Sequence, residues 1–281
     1  MRNFKILIFV LSLFLIQWVS AQDGGFDKSF NGNSYHSLSI GKSFERTQHM
    51  TRQADGKIIV VGYLSVGQTR NAFVARYMSD GAEDLSFGDG GKVIFYNFPS
   101  TFYSVVVQKD GKLVISGVAT QSNQNNFLVA RLESNGNFDK SFAGKGYLTQ
   151  PVGDLGAALA YKVVVGSDGK IVVGGYAWVN GQHYNFAMIR LKPEGTLDAD
   201  FGTAGISLTD IGSGTADFAN DIILLTNGGI LMVGSTRQVT PAVLNYDFAM
   251  ARFNSYGRLD NTFSSDGKVT TDFAGQDDAA Y

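Results

Sequence analysis

Short apolar runs recur along this chain at nearly even intervals, and each is bounded by glycine, asparagine and aspartate rather than by helix caps. Runs such as Ile58-Ile59-Val60-Val61 are β-branched and too short for helices, the pattern of strands buried between two layers. No segment keeps apolar residues at helical spacing beyond a few positions, so the predicted fold class is all-β. One unit reads as a strand over residues 103–108, a type I′ hairpin turn at Asp110-Gly111 and a second strand over 112–119. A loop over 120–125, a third strand over 126–133, a turn at Asn135-Gly136 and a short fourth strand over 146–150 complete it.

That unit repeats. Gly-x-(Leu/Phe)-Asp-x-x-Phe occurs at residues 24–30, 136–142, 195–201 and 257–263, with a fifth copy at 81–87 in which Glu83 takes the apolar place. Asp-Gly-Lys followed by an apolar run occurs at Asp55, Asp110 and Asp168, and Asn227-Gly228-Gly229 is its degenerate fourth copy. A third motif runs from Phe73, Phe127, Phe186 and Phe248 to Arg76, Arg131, Arg190 and Arg252. Three motifs in one order at one period predict four four-stranded units that cannot each bury both faces, hence the blades of a β-propeller.

The combined pattern resembles the delta-60 repeat family over essentially all of residues 22–281. Glu83, Asn227-Gly228-Gly229 and Ser34 are the departures. The resemblance implies a secreted or surface-exposed bacterial propeller and adds little about chemistry. The repeat phase at the two ends, including a spare strand over residues 37–43, leads us to expect a truncated part of a seven-bladed ring. Neighbouring modules would lie beyond it, and a closed four-bladed ring is the alternative.

Residues 1–21 carry Arg2 and Lys5, an apolar run over 6–16 and Ser20-Ala21 before Gln22, the layout of a signal peptide. The apolar run is short for a spanning helix, so we expect export to the exterior or cell surface with no membrane insertion afterwards. The absence of cysteine excludes disulfides, thiolate metal sites and a cysteine nucleophile, and with the Ser-Ala-Gln ending it resembles Bacteroidota-type secretion. A net charge of −2 with 17% charged residues offers no basic field for nucleic acid. The 34 glycines and 21 phenylalanines suit many short strands joined by tight turns.

Asp84, Asp139, Asp198 and Asp260 each follow an arginine, Arg76, Arg131, Arg190 and Arg252, by eight residues. We read each pair as a structural tie rather than as a ring of ligands, because a binding site breaks repeat symmetry. Calcium at Asp80, Asp84 and Asp89 is the sharper alternative, yet no Asp-x-Asp-x-Asp-Gly loop occurs. His36, His49 and His183 fall at different repeat positions without zinc spacing, so no metal and no cofactor are expected. Gly41-Lys42-Ser43 lacks the first glycine of a phosphate loop, and no Gly-x-Ser-x-Gly elbow occurs.

The segments between second and third strands vary most, and Trp178, His183, Tyr184, Gln121 and Asn123 there suit sugar rings or protein surfaces. The resulting expectation is a non-catalytic extracellular or cell-surface scaffold that binds protein or polysaccharide and is not an enzyme. A propeller-type lyase or glycosidase is the alternative, and a purely architectural domain is the third reading.

Overall fold

The computed structural model describes residues 27–32, 44–154, 156–212, 214–240, 243–273 and 277–278. The expected signal peptide, the expected spare strand over 37–43, His36 and the Gly41-Lys42-Ser43 motif lie outside the described residues.

The described residues form sixteen strands in four antiparallel sheets, each a simple meander. The first holds β1 (Phe44–Arg52), β2 (Ile58–Val66), β3 (Thr69–Tyr77) and β4 (Lys92–Phe95). The second holds β5 (Ser100–Val107), β6 (Leu113–Gln121), β7 (Gln124–Leu132) and β8 (Tyr147–Gln150). The third holds β9 (Ala158–Val165), β10 (Ile171–Val179), β11 (His183–Leu191) and β12 (Ile206–Thr209). The fourth holds β13 (Asp217–Leu224), β14 (Ile230–Thr240), β15 (Val243–Phe253) and β16 (Lys268–Thr271). The chain is therefore an all-β propeller of four-stranded blades.

The blades stack in chain order. The first strands run beside one another, β1 by β5, β5 by β9 and β9 by β13, and β5, β9 and β13 each also cross the face of the blade before them. Apolar residues from both sides of each gap interlock, as Ile59, Val61 and Val74 of blade 1 do with Phe102 and Val105 of blade 2. This explains the continuous apolar runs, because middle strands are covered on both faces. Every first strand carries a β-bulge, skipping Gln48, Tyr103, Tyr161 or Asn220 opposite a glycine of the second strand. A Cβ on Gly117 would stand 2.0 Å from the Thr101 carbonyl, so a side chain cannot fit there.

Two sequence expectations change. The Asp-Gly turns are not type I′: Gly111 has φ +83 while Asp110 keeps a negative φ, and Asp110 Oδ1 accepts the Lys112 amide. Gln108 receives the Gly111 amide, which makes a type I turn closed by a left-handed glycine. The type I′ geometry falls instead at Ser122 (φ 49) and Asn123 (φ 64). The expected loop over 120–125 is therefore a tight hairpin, with β6 running to Gln121 and β7 starting at Gln124. Cross-strand pairing continues to the turn, Gln121 opposite Gln124, so Trp178 and Tyr184 in the next blade are likewise strand residues, directly paired.

The repeated Asp and Arg tie blade to blade. Arg76 Nε lies 2.7 Å from Asp84 Oδ2, Arg131 2.7 Å from Asp139 and Arg190 2.8 Å from Asp198, all buried. Each arginine also donates through Nη1 to a carbonyl of the following blade, Ser134, Pro193 and Ser255 respectively. Its guanidinium covers the phenylalanine of the same motif, Phe87, Phe142 or Phe201, at 4.5, 4.8 and 4.6 Å. That ring seats on a glycine of the following blade. Gly195 has φ +87, and a Cβ there would meet the Phe142 ring at 2.7 Å.

The lysine of Asp-Gly-Lys completes the tie, a role its spacing did not disclose: Lys57, Lys112 and Lys170 approach the same Asp oxygen at 3.1, 2.8 and 2.9 Å. Burial alone would raise the Asp139 carboxyl, but hydrogen bonds from Lys112 and Ser141 and the charge of Arg131 outweigh it and hold it far below the usual range. In blade 4 Gly229 stands in the lysine's place, and the Arg252–Asp260 pair, at 2.9 Å, is about a quarter exposed.

Candidate functional site

With the repeat accounted for as scaffold, the residues of interest are those that break it at equivalent places. Strand pairing defines the equivalences. Gly62, Gly117, Gly175 and Gly234 each sit opposite the bulge of their own first strand. Two residues before the bulged position stand Arg46, Thr101, Leu159 and Phe218. One residue after these glycines come Tyr63, Val118, Tyr176 and Ser235, and on the third strands Arg70, Asn125, Tyr184 and Tyr246. The bulged residues are Gln48, Tyr103, Tyr161 and Asn220, followed by His49, Ser104, Lys162 and Asp221. All lie toward the end of the blades that carries the hairpins between second and third strands.

These residues meet across blade boundaries as an aromatic face. Tyr103 of blade 2 lies 4.7 Å from Tyr161 of blade 3, which lies 5.6 Å from Tyr176. Tyr176 packs edge-on against Tyr184 at 5.2 Å and against Phe218 of blade 4 at 4.8 Å. Trp178 stands 4.9 Å from Tyr184, and Tyr246 lies 5.9 Å from Phe218. All seven are partly exposed, unlike the buried motif phenylalanines.

The electrostatics of this face are uneven. Burial, with the nearby Tyr161, pushes the Tyr103 hydroxyl up to about 12, and burial with the hydrogen bond to Tyr161 pushes Tyr176 higher still, so both stay neutral donors at ordinary pH. Beside them Lys162 pairs with Asp221 at 3.2 Å across blades 3 and 4. His49 Nδ1 accepts the Val105 amide at 3.4 Å. Burial and the Lys162 charge, opposed by Asp221, lower its pKa and favour the neutral imidazole. At the blade 4 end Asp217 is fully buried, accepting from the Ile211 amide and the Thr236 hydroxyl, and burial raises it to about 6. Nearby, Asp247, Asp272 and Asp278 have carboxylate oxygens within 4.8 Å of one another.

Of the residues singled out in sequence, Trp178 and Tyr184 join this face. His183 pairs with Val179 at the tip of the same hairpin. Gln121 and Asn123 belong to the neighbouring blade 2 hairpin and make no ring contact with the face among the described residues. At the calcium alternative, Asp84 pairs with Arg76 and Lys57, and Asp80 accepts the Ala82 amide. A cavity of about 790 Å³ opens elsewhere, between β12 and the connection of blade 4, and its lining carries no aromatic ring. Sequence reasoning missed Tyr103, Tyr161, Tyr176 and Phe218; the signal was aromatic residues at matching strand positions of different blades, Tyr103 with Tyr161 and Tyr63 with Tyr176.

Residues 53–87, 108–142 and 166–201 match the family described as "Domain of unknown function (DUF5122) beta-propeller". They cover the first three complete motif sets, so a β-propeller repeat family is supported. No curated protein sequence matches the chain. Two solved structures are similar to the chain. A mannose phosphorylase, MPT-4, from Leishmania mexicana, solved with a phosphate ion, is 13% identical with a TM-score of 0.43 over 78% of this chain and 67% of its own. An endo-arabinase from Bacteroides thetaiotaomicron is 11% identical with a TM-score of 0.41 over 84% and 80%. The expectation that the chain is not an enzyme is withdrawn, since both of these similar structures are of enzymes. Likeness at this level establishes no activity here.

Proposed function

We propose that this protein binds polysaccharide outside the cell or at its surface, along the aromatic face that crosses blades 2, 3 and 4. The observation that carries this reading is the unbroken run Tyr103–Tyr161–Tyr176–Tyr184–Trp178, partly exposed and continuous across the boundary between blades 2 and 3. Rings with an apolar body and a polar tip suit sugars, which offer C–H faces for stacking and hydroxyls for the phenols. A rigid strand framework places the rings without an ordering cost.

Affinity gel electrophoresis with embedded polysaccharides tests the reading. Retardation by at least one polymer is expected, together with its loss in Trp178→Ala/Tyr184→Ala. A panel in which no polymer retards the folded protein would contradict it. Chain cleavage of the bound polymer is a second reading, favoured by His49, Lys162 and Asp221 beside Tyr161, since unlike titratable groups next to a binding face are what general acid–base chemistry needs. Release of reducing ends, abolished in Asp221→Asn, is the outcome it expects.

A further inference from the structure

The two ends of the aromatic face differ in charge. Blade 4 ends it with carboxylates, Asp247, Asp272 and Asp278, whereas blade 1 ends it with Arg46 and Arg70. Both arginines are exposed. The repeat arginines Arg76, Arg131, Arg190 and Arg252 each pair with an aspartate, but among the described residues no ion pair holds Arg46 or Arg70. They occupy positions filled in the other blades by Thr101, Leu159 and Phe218, and by Asn125, Tyr184 and Tyr246, so nothing in the scaffold calls for a cation there.

Their setting is specific. The Arg70 guanidinium lies over the Tyr63 ring at 4.7 Å, which fixes its plane and leaves its edge free. Arg46 is the direct cross-strand partner of Tyr63 on the same face of the sheet. Both charges act on the Tyr103 hydroxyl of blade 2, the first ring of the aromatic run. Two unpaired guanidiniums therefore flank the start of the stacking platform, across the boundary between blades 1 and 2.

We infer that the polysaccharide is acidic, and that Arg46 and Arg70 hold the carboxylate or sulfate of a sugar unit whose neighbours stack on Tyr103 and Tyr161. This rests on the polysaccharide reading above. Guanidinium groups bind such anions in bidentate fashion, and the carboxylates of blade 4 disfavour the same group at the far end, which gives the chain a direction on the face. With a net charge of −2 the molecule as a whole does not attract polyanions.

The test compares polygalacturonate, dextran sulfate and neutral dextran in affinity gels, using residues 22–281 and the double variant Arg46→Ala/Arg70→Ala. We expect an acidic polymer to bind about tenfold more tightly than dextran at low salt, with that preference lost in the double variant and weakened by salt. Lys109→Ala and Lys192→Ala, exposed cations away from the face, should leave it unchanged. Retention on polygalacturonate alone assigns a carboxylate, and on dextran sulfate alone a sulfate. Equal retention by acidic and neutral polymers, or an undiminished preference in the double variant, overturns the inference while the polysaccharide reading stands. Failure of every polymer to bind overturns both.

Discussion

At the scale of single residues, the same ion pair has different worth in different blades. Arg131 and Asp139 are buried, and the arginine also caps a carbonyl of blade 3, so Arg131→Ala strips that carbonyl of its donor and leaves Asp139 held by Lys112 and Ser141 alone. Urea denaturation should register a loss of about 2–3 kcal/mol. Arg252→Ala, in the partly exposed copy, should cost under about 1 kcal/mol. Equal losses at the two sites would contradict the clamp. The buried carboxyls also set the pH response. Asp84 and Asp139 are held below their unfolded value, so they stabilise the fold above about pH 4, and that contribution falls away as acid approaches their folded values. Asp217 works in the opposite sense. Its folded value of about 6 lies above the unfolded one, so its contribution is whole at about pH 4 and below and is lost as pH rises through 6. Asp217→Asn should flatten the fall in stability between about pH 4 and 6 in thermal melts, and an unchanged slope would remove Asp217 as its source.

At the scale of elements, each connection acts as a peg. Phe142 is fully buried on Gly195, and Phe142→Ala should cost about 3–5 kcal/mol. Phe263, half-buried and without a following glycine among the described residues, should cost about 1 kcal/mol, read from the same denaturation curves. The hairpin at Ser122-Asn123 holds two non-glycine residues at positive φ. Replacing the pair by Asn-Gly should stabilise blade 2 by about 1 kcal/mol, and a loss would contradict the turn type. The Asp–Arg ties and the strands were legible in the sequence because one physical requirement is written at the same place in every unit, whereas the seating of each phenylalanine on a glycine was not. Turn type was not, since Asp-Gly serves both a type I′ turn and a type I turn closed by glycine. The register around Gly111 decides between them.

At the scale of the molecule, the division of labour is between what repeats and what does not. The repeated residues close the gaps between blades. The departures gather toward one end of the stack, where neighbouring first strands bring Tyr103, Tyr161 and Phe218 beside rings of β10 and β11. Trp178 and Tyr184 were visible as unusual residues in a variable segment. Their partners were not, because contact across a blade boundary joins positions about 58 residues apart and no local pattern marks it. The histidines show the same limit: His49 reads as an isolated surface residue, yet the stack brings it within electrostatic reach of Lys162 and Asp221.

Trp18 and Trp178 are the only tryptophans in the sequence, so residues 22–281 carry a single tryptophan, excited selectively at the red edge of the absorption band, and it lies in the proposed face. Titrating that protein with polysaccharides while following Trp178 emission tests the central claim directly. The account predicts a saturable change in intensity or wavelength with a bound polymer, abolished in Tyr103→Ala/Tyr161→Ala, whose substitutions leave the fluorophore in place. A polymer that binds in gels yet leaves Trp178 emission untouched would mean that the ligand sits elsewhere on the molecule.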